Sequence, residues 1–138
     1  MLDGQQNTIG REKLSGAPLG ARAEHDPVDL TARHPDGTPV IPAHAHTREA
    51  SHVTNDGVRI LRRGYSFTHG IDPETGELDA GLFFVAFQRD PHAQFAVLQR
   101  RLGASDGLNE YIQHTSSALF AVPPGVRPGG YVAEERFA

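Results

Sequence analysis

All ten Phe and Tyr residues of this 138-residue chain lie at Tyr65 or later, and the first 64 positions hold none. Aromatic side chains supply much of the apolar area a small core can bury, so this distribution divides the chain into two unlike parts. Residues 1–57 are rich in Gly, Pro, Asp and His with little apolar periodicity. Such a segment does not offset its own ordering entropy, and it is expected to drape over something else. Residues 58–138 carry the readable secondary structure, and at this length one core is the limit.

Turn signals crowd the first part, at Gly16-Ala17-Pro18, His34-Pro35-Asp36-Gly37 and Asn55-Asp56-Gly57, and predict a long loop. From Val58 to Tyr65 apolar groups stand among basic ones, as in a strand that lines a polar cavity. Gly81 to Phe87 is a near-continuous apolar run, which predicts a strand covered on both faces. Asp90-Pro91 supplies an N-cap and a first-turn proline, Phe95, Leu98 and Leu102 recur at helical spacing, and Gly103 stands as the stop. Ser117 to Val122 reads as a last buried strand ended by Pro123-Pro124-Gly125, with a short helix around Leu108 to Ile112. Loop, strand, strand, helix, strand is the order of an α+β fold, a βαββαβ ferredoxin-like unit without its opening strand and helix. That incompleteness leaves one sheet face poorly covered and one edge unpaired.

Charge and composition exclude several functions. The net charge of −4, from 13 basic and 17 acidic residues, gives no positive field for nucleic acid or an anionic membrane surface. The absence of cysteine excludes disulfides, thiolate zinc sites, iron–sulfur clusters and covalent haem attachment, and leaves non-covalent haem open. No apolar run suits a membrane span and the N-terminus shows no signal segment, so the chain as written is expected to be soluble and cytoplasmic, with export requiring an upstream leader. Most of the eight histidines read as loop residues. If residues 43–47 were extended, His44 and His46 would point the same way and with His52 could hold zinc or copper. Arg62-Arg63 also reads as a solvated strand edge, and Glu110 as an exposed helix-end acid.

Five ordered blocks resemble the DyP-type (dye-decolourising) peroxidases. Ile9-Gly10-Arg11-Glu12-Lys13-Leu14-Ser15-Gly16-Ala17-Pro18-Leu19 is similar to the family's I-G-R-x-K-x-x-G-x-P-L, and Ile41-Pro42-Ala43-His44-Ala45-His46-Thr47-Arg48 to its I-P-x-x-A-H-I-R. Ile60 to Phe67 resembles I-L-R-R-G-Y-x-Y, and the blocks Leu78 to Asp90 and Asn109 to Ile112 before Leu119 to Pro123 follow in order. The deferrochelatase/peroxidase branch is the most similar.

The resemblance implies a ferredoxin-like domain of the dimeric α/β-barrel type and haem b as cofactor. His46 would be the axial iron ligand, with Glu110 accepting a hydrogen bond from its other ring nitrogen. Arg62 would be the distal catalytic cation, Arg11 a partner of a haem propionate, and Leu82 and Phe84 an apolar distal wall. The implied reaction reduces hydrogen peroxide and oxidises dyes, phenols or porphyrin-like donors. The family's distal aspartate lies in a G-x-x-D-G motif upstream of the proximal histidine, and no such motif precedes His46 here. Gly103-Ala104-Ser105-Asp106-Gly107 spells it on the other side of His46 and reads as a helix-ending turn. The expected state is therefore a homo-oligomer or one half of a split protein complemented by an N-terminal half, with a non-catalytic haem-binding remnant as the alternative.

Overall fold

The computed structural model describes residues 2–134. In chain order it contains α1 (Leu2–Ile9), α2 (His46–Glu49), β1 (Leu61–Ile71), β2 (Leu78–Phe87), α3 (Phe95–Ser105) and a 3-10 turn over Gly107–Glu110. β1 and β2 form one antiparallel two-stranded sheet, so the fold is α+β. Among the described residues no helix is long and apolar enough to cross a membrane.

α1 lies where the absence of apolar periodicity predicts loop. Its end is made by Gly10, whose φ of +84° is favourable only for glycine and whose N–H donates to Gln6 O at 2.6 Å. A Cβ at Gly10 would come within 3.1–3.3 Å of Thr47, Ile41 and Ala45, so the glycine also permits close packing of α1 on the segment leading into α2. Thr47 Oγ1 donates to Ile9 O at 2.7 Å and ties the two helices together.

Residues 1–57 are mostly turns, and they pack on α3 and the turn that follows it through His44, His46 and Glu49. Ala17, Ile41 and Ala45 are fully buried there, beside buried Glu49 and Asn55. Arg48 organises the loop: its guanidinium donates to Leu30 O at 2.9 Å, to Ile41 O at 2.8 Å and to Pro42 O at 3.2 Å. Three backbone carbonyls that face away from bulk water are thereby satisfied by one side chain. Short Asx turns do the same at the surface, with Asp29 accepting from Thr31 and Asp36 from Thr38.

The hairpin pairs Leu61 with Phe87 at one end and Ile71 with Leu78 at the other, with a register irregularity between Thr68 and Gly70. Its turn closes by Asp72 N donating to Glu77 O at 2.8 Å, with Gly76 at φ +73°. Gly81 faces Phe67, whose ring lies where a Cβ would be, so the aromatic ring covers the gap in the strand. The expectation that Gly81 to Phe87 is covered on both faces is corrected: Phe83 is 65% exposed and Leu82, Phe84 and Phe87 are exposed with it. An isolated pair of strands has no third layer to cover it.

α3 begins later and ends later than its sequence signals. Asp90 Oδ1 accepts from His92 N at 2.8 Å and Ala93 N at 3.2 Å, forming an entry turn, and the helix proper starts at Phe95. Gly103 lies inside the helix, which stops at Asp106, where the backbone turns extended (φ −75°, ψ 120°). Ser117 to Val122 forms no strand and is exposed, Phe120 to 81%. A strand is defined by its partner, and no described residue pairs with this one.

Candidate functional site

His46 is the first residue of α2, preceded by Ala45 in extended conformation. Its Nδ1 lies 2.5 Å from Oδ2 of Asp106, sixty residues away in the chain. Asp106 follows the last residue of α3, where helix ends favour short polar side chains that reach backbone groups, and its Oδ1 accepts from Leu108 N at 2.9 Å. Both carboxylate oxygens are therefore engaged, and the side chain is buried. The backbones are joined as well, since Gly107 N donates to His44 O at 2.9 Å. A Cβ on Gly107 would come 2.9 Å from the His44 ring, so a larger residue here would push that ring aside.

A carboxylate can only accept, so Nδ1 carries the hydrogen, and in the neutral ring the lone pair is then on Nε2. The ring is thus held in the tautomer that suits an axial metal ligand, with an anionic acceptor to raise its basicity. About a third of the His46 side chain (33%) is exposed, against 3% of Asp106, so the ring is anchored from behind and open in front.

The acceptor expected from the sequence, Glu110, is corrected to Asp106. Glu110 closes the 3-10 turn on its solvent side and is exposed, whereas Asp106 opens that turn on the side packed against α2. The signal was present in Gly103-Ala104-Ser105-Asp106-Gly107, where a helix-ending turn and an acid occupy the same residues. Nothing local reveals a contact made across sixty positions.

Arg62, Leu82 and Phe84 come together on one face of the hairpin. Arg62 pairs with Ala86, Gly64 with Phe84 and Ser66 with Leu82, so by strand alternation these side chains share a side. Phe84 also meets Phe95 of α3, with ring centroids 6.2 Å apart. Among the described residues no hydrogen bond or ion pair joins this face to His46. Arg11 sits in an isolated bridge with Pro18, and its Nη1 donates to Gly16 O at 2.6 Å and to Glu24 O at 3.1 Å, leaving the Nε and Nη2 side of the fork for other acceptors. A cavity of about 480 Å³ opens beside it, lined by Thr8, Ile9, Arg11, Leu108 and Tyr111 among others. The alternative of a zinc or copper site lacks a ligand set: among the described residues no three His, Cys, Asp or Glu side chains could hold a metal ion together. His44 lies in a turn and not in an extended run shared with His46.

A family model described as Dyp-type peroxidase, C-terminal, matches residues 1–127. The chain belongs to the DyP-type peroxidase family. It is 48% identical over 132 residues to the dye-decolorizing peroxidase of Thermobifida fusca (strain YX), covering 95% of this chain and 30% of that protein. It is 40% identical over 128 residues to the deferrochelatase of Escherichia coli (strain K12), covering 91% of this chain and 29% of that one. Among solved structures, ferric DtpA from Streptomyces lividans superposes with a TM-score of 0.91 at 39% identity, over 99% of this chain and 37% of that chain. The α+β fold is accordingly an incomplete ferredoxin-like unit of the DyP type, and the chain spans well under half the length of the relatives it matches.

Proposed function

We propose that this chain is the haem-holding part of a peroxidase that reduces hydrogen peroxide and oxidises dyes, phenols or porphyrin-like donors. The observation that carries this reading is the His46–Asp106 pair, an imidazole whose Nδ1 faces a buried carboxylate and whose Nε2 is left for iron. This donor set fits haem b, since a single anchored imidazole is the usual proximal ligand of peroxidase haem. Bound haem would supply the redox-active iron.

The remaining chemistry belongs to the chain's own residues. Asp106 accepts the Nδ1 hydrogen, holds the ring's orientation and strengthens Nε2 as a donor. Arg62 would provide a cation on this face, suited to stabilise negative charge that develops on a departing oxygen. Leu82 and Phe84 on the same side, exposed here, would form an apolar wall against bound haem. Arg11 offers the free side of its fork to a carboxylate such as a haem propionate. Residues 1–57 and 58–138 act in this reading as a single haem-binding unit.

Titrating the purified chain with haemin is expected to produce a Soret band that saturates at one equivalent and is lost in His46→Ala. An unchanged spectrum in that variant would remove His46 from the site. Peroxide-dependent dye bleaching by the loaded chain then reads the enzymatic part. A second reading is supported by the hairpin exposed on both faces: the chain acts with a complementing polypeptide or further copies of itself. Bleaching that appears only after such a polypeptide is added would favour it.

A further inference from the structure

We infer that Glu49 is a positioning residue for His46, tying the far end of α2 to α3 and so setting the imidazole against Asp106. α2 is a single turn running from His46 to Glu49, and a helix this short has no stability of its own. Its orientation must come from what its side chains hold: Thr47 and Arg48 bind α1 and the loop, and each end makes a contact of its own. At one end His46 meets Asp106 at 2.5 Å. At the other, Oε2 of buried Glu49 accepts from Arg101 Nε at 2.8 Å and from Ser105 Oγ at 3.0 Å.

His46 and Glu49 are three apart and share a side of α2, and Arg101 and Ser105 are four apart and share a side of α3. Arg101 extends the link by donating through Nη1 to Thr54 O, and Thr54 Oγ1 donates in turn to Arg48 O at 2.5 Å. The chain leaving α2 is thereby fixed to the same guanidinium. Together with the bonds of Thr47 and Arg48, the contacts at the two ends define the rotation of this turn as well as its distance from α3, and the Glu49 contact thereby supports the hydrogen bond to Asp106. A partly exposed ion pair is a weak source of net stability, which favours a geometric role over a purely stabilising one.

The consequence for iron binding rests on the proposed haem reading, but the hydrogen bond itself is readable without haem. In the metal-free full chain, proton and nitrogen NMR is expected to show a downfield His46 Nδ1–H signal protected from solvent. Glu49→Gln is expected to move that signal upfield and speed its exchange by about tenfold, on the scale of a lost charged hydrogen bond. Ser105→Ala, which removes one donor and leaves the ion pair, is expected to give a smaller change in the same direction. The charge-swapped pair Glu49→Arg with Arg101→Glu is expected to restore the signal in part. Ile41→Val lowers stability without touching the tethers and is expected to leave it in place. A native-like Nδ1–H signal in both Glu49→Gln and Ser105→Ala, accompanied only by a lower melting temperature, would overturn the proposal. Failure of the haemin titration with these NMR changes intact would instead remove the haem reading alone.

Discussion

Residues 1–57 have no aromatic ring yet contain fully buried Ala17, Ile41 and Ala45, whereas the aromatic part leaves Phe83 at 65% and Phe120 at 81% exposure. The contrast separates hydrophobicity from burial. In the first region Arg48, Thr47 and the Asx turns satisfy backbone groups as the chain folds back on α1, and a few small apolar residues suffice to fill the space between. In the second, apart from Phe95 on α3, most of the described rings lie on a two-stranded sheet and an unpaired tail, where no further layer of described residues buries them. The two halves of the proposed site divide along the same line. His46 belongs to the packed region and is met there by Asp106 from the end of α3, whereas Arg62, Leu82 and Phe84 belong to the open face.

The contrast is tested most severely by a pair of truncations. Ile41→Ala is expected to cost about 2–5 kcal/mol, the range for emptying a filled apolar site. Phe120→Ala is expected to cost less than about 0.5 kcal/mol, as for an exposed position. Denaturant unfolding of the two variants reads the difference, and equal costs would abolish the distinction between the regions. A smaller loss, about 1–3 kcal/mol, is expected for Arg48→Ala, which leaves the carbonyls of Leu30, Ile41 and Pro42 without their donor. It should loosen amide protection around Ile41 and leave the cross-strand amides of β1 and β2 unaltered.

The weakest expected effect concerns pH. The Thr38 hydroxyl and N–H hold the Asp36 carboxyl below its ordinary range, the Thr31 hydroxyl and N–H do so for Asp29, and the N–H groups of Ala23 and Arg22 do so for Asp26. Each carboxyl is more acidic folded than unfolded, so its support for the loop is complete above the ordinary carboxylate range, near ~4, and is lost as pH falls through the lower folded value. Amide shifts of Ala23, Thr31 and Thr38 are expected to titrate with midpoints below that range, while the N–H of Tyr65 in β1 stays constant. Midpoints at the ordinary value would show that the turns do not hold these groups in solution.

Much of the framework was readable from local signals. The apolar run ending at Phe87 marks β2, Asp90-Pro91 with Phe95, Leu98 and Leu102 marks α3, and the five sequence blocks point to the family that residues 1–127 match. What failed depends on partners distant in sequence. Ser117 to Val122 has the composition of a buried strand, but burial is conferred by a neighbour that composition does not describe. α1 escaped notice because Asp3, Gly4, Gln5, Gln6 and Asn7 show no apolar period, and the helix is held from outside by the Thr47 hydroxyl on Ile9 O. In the sequence Asp106 reads as a turn residue, which it is, and its second task toward His46 arises only when α3 and α2 meet.

In the proposed haem site Asp106 holds the ring that would hold the iron. Resonance Raman spectra of the haemin-loaded, reduced chain measure the stretch of the iron–histidine bond. Asp106→Asn keeps the shape and removes the charge behind Nδ1, and the stretch is expected to fall to lower frequency than in the native chain. The same frequency in both proteins would contradict the claim.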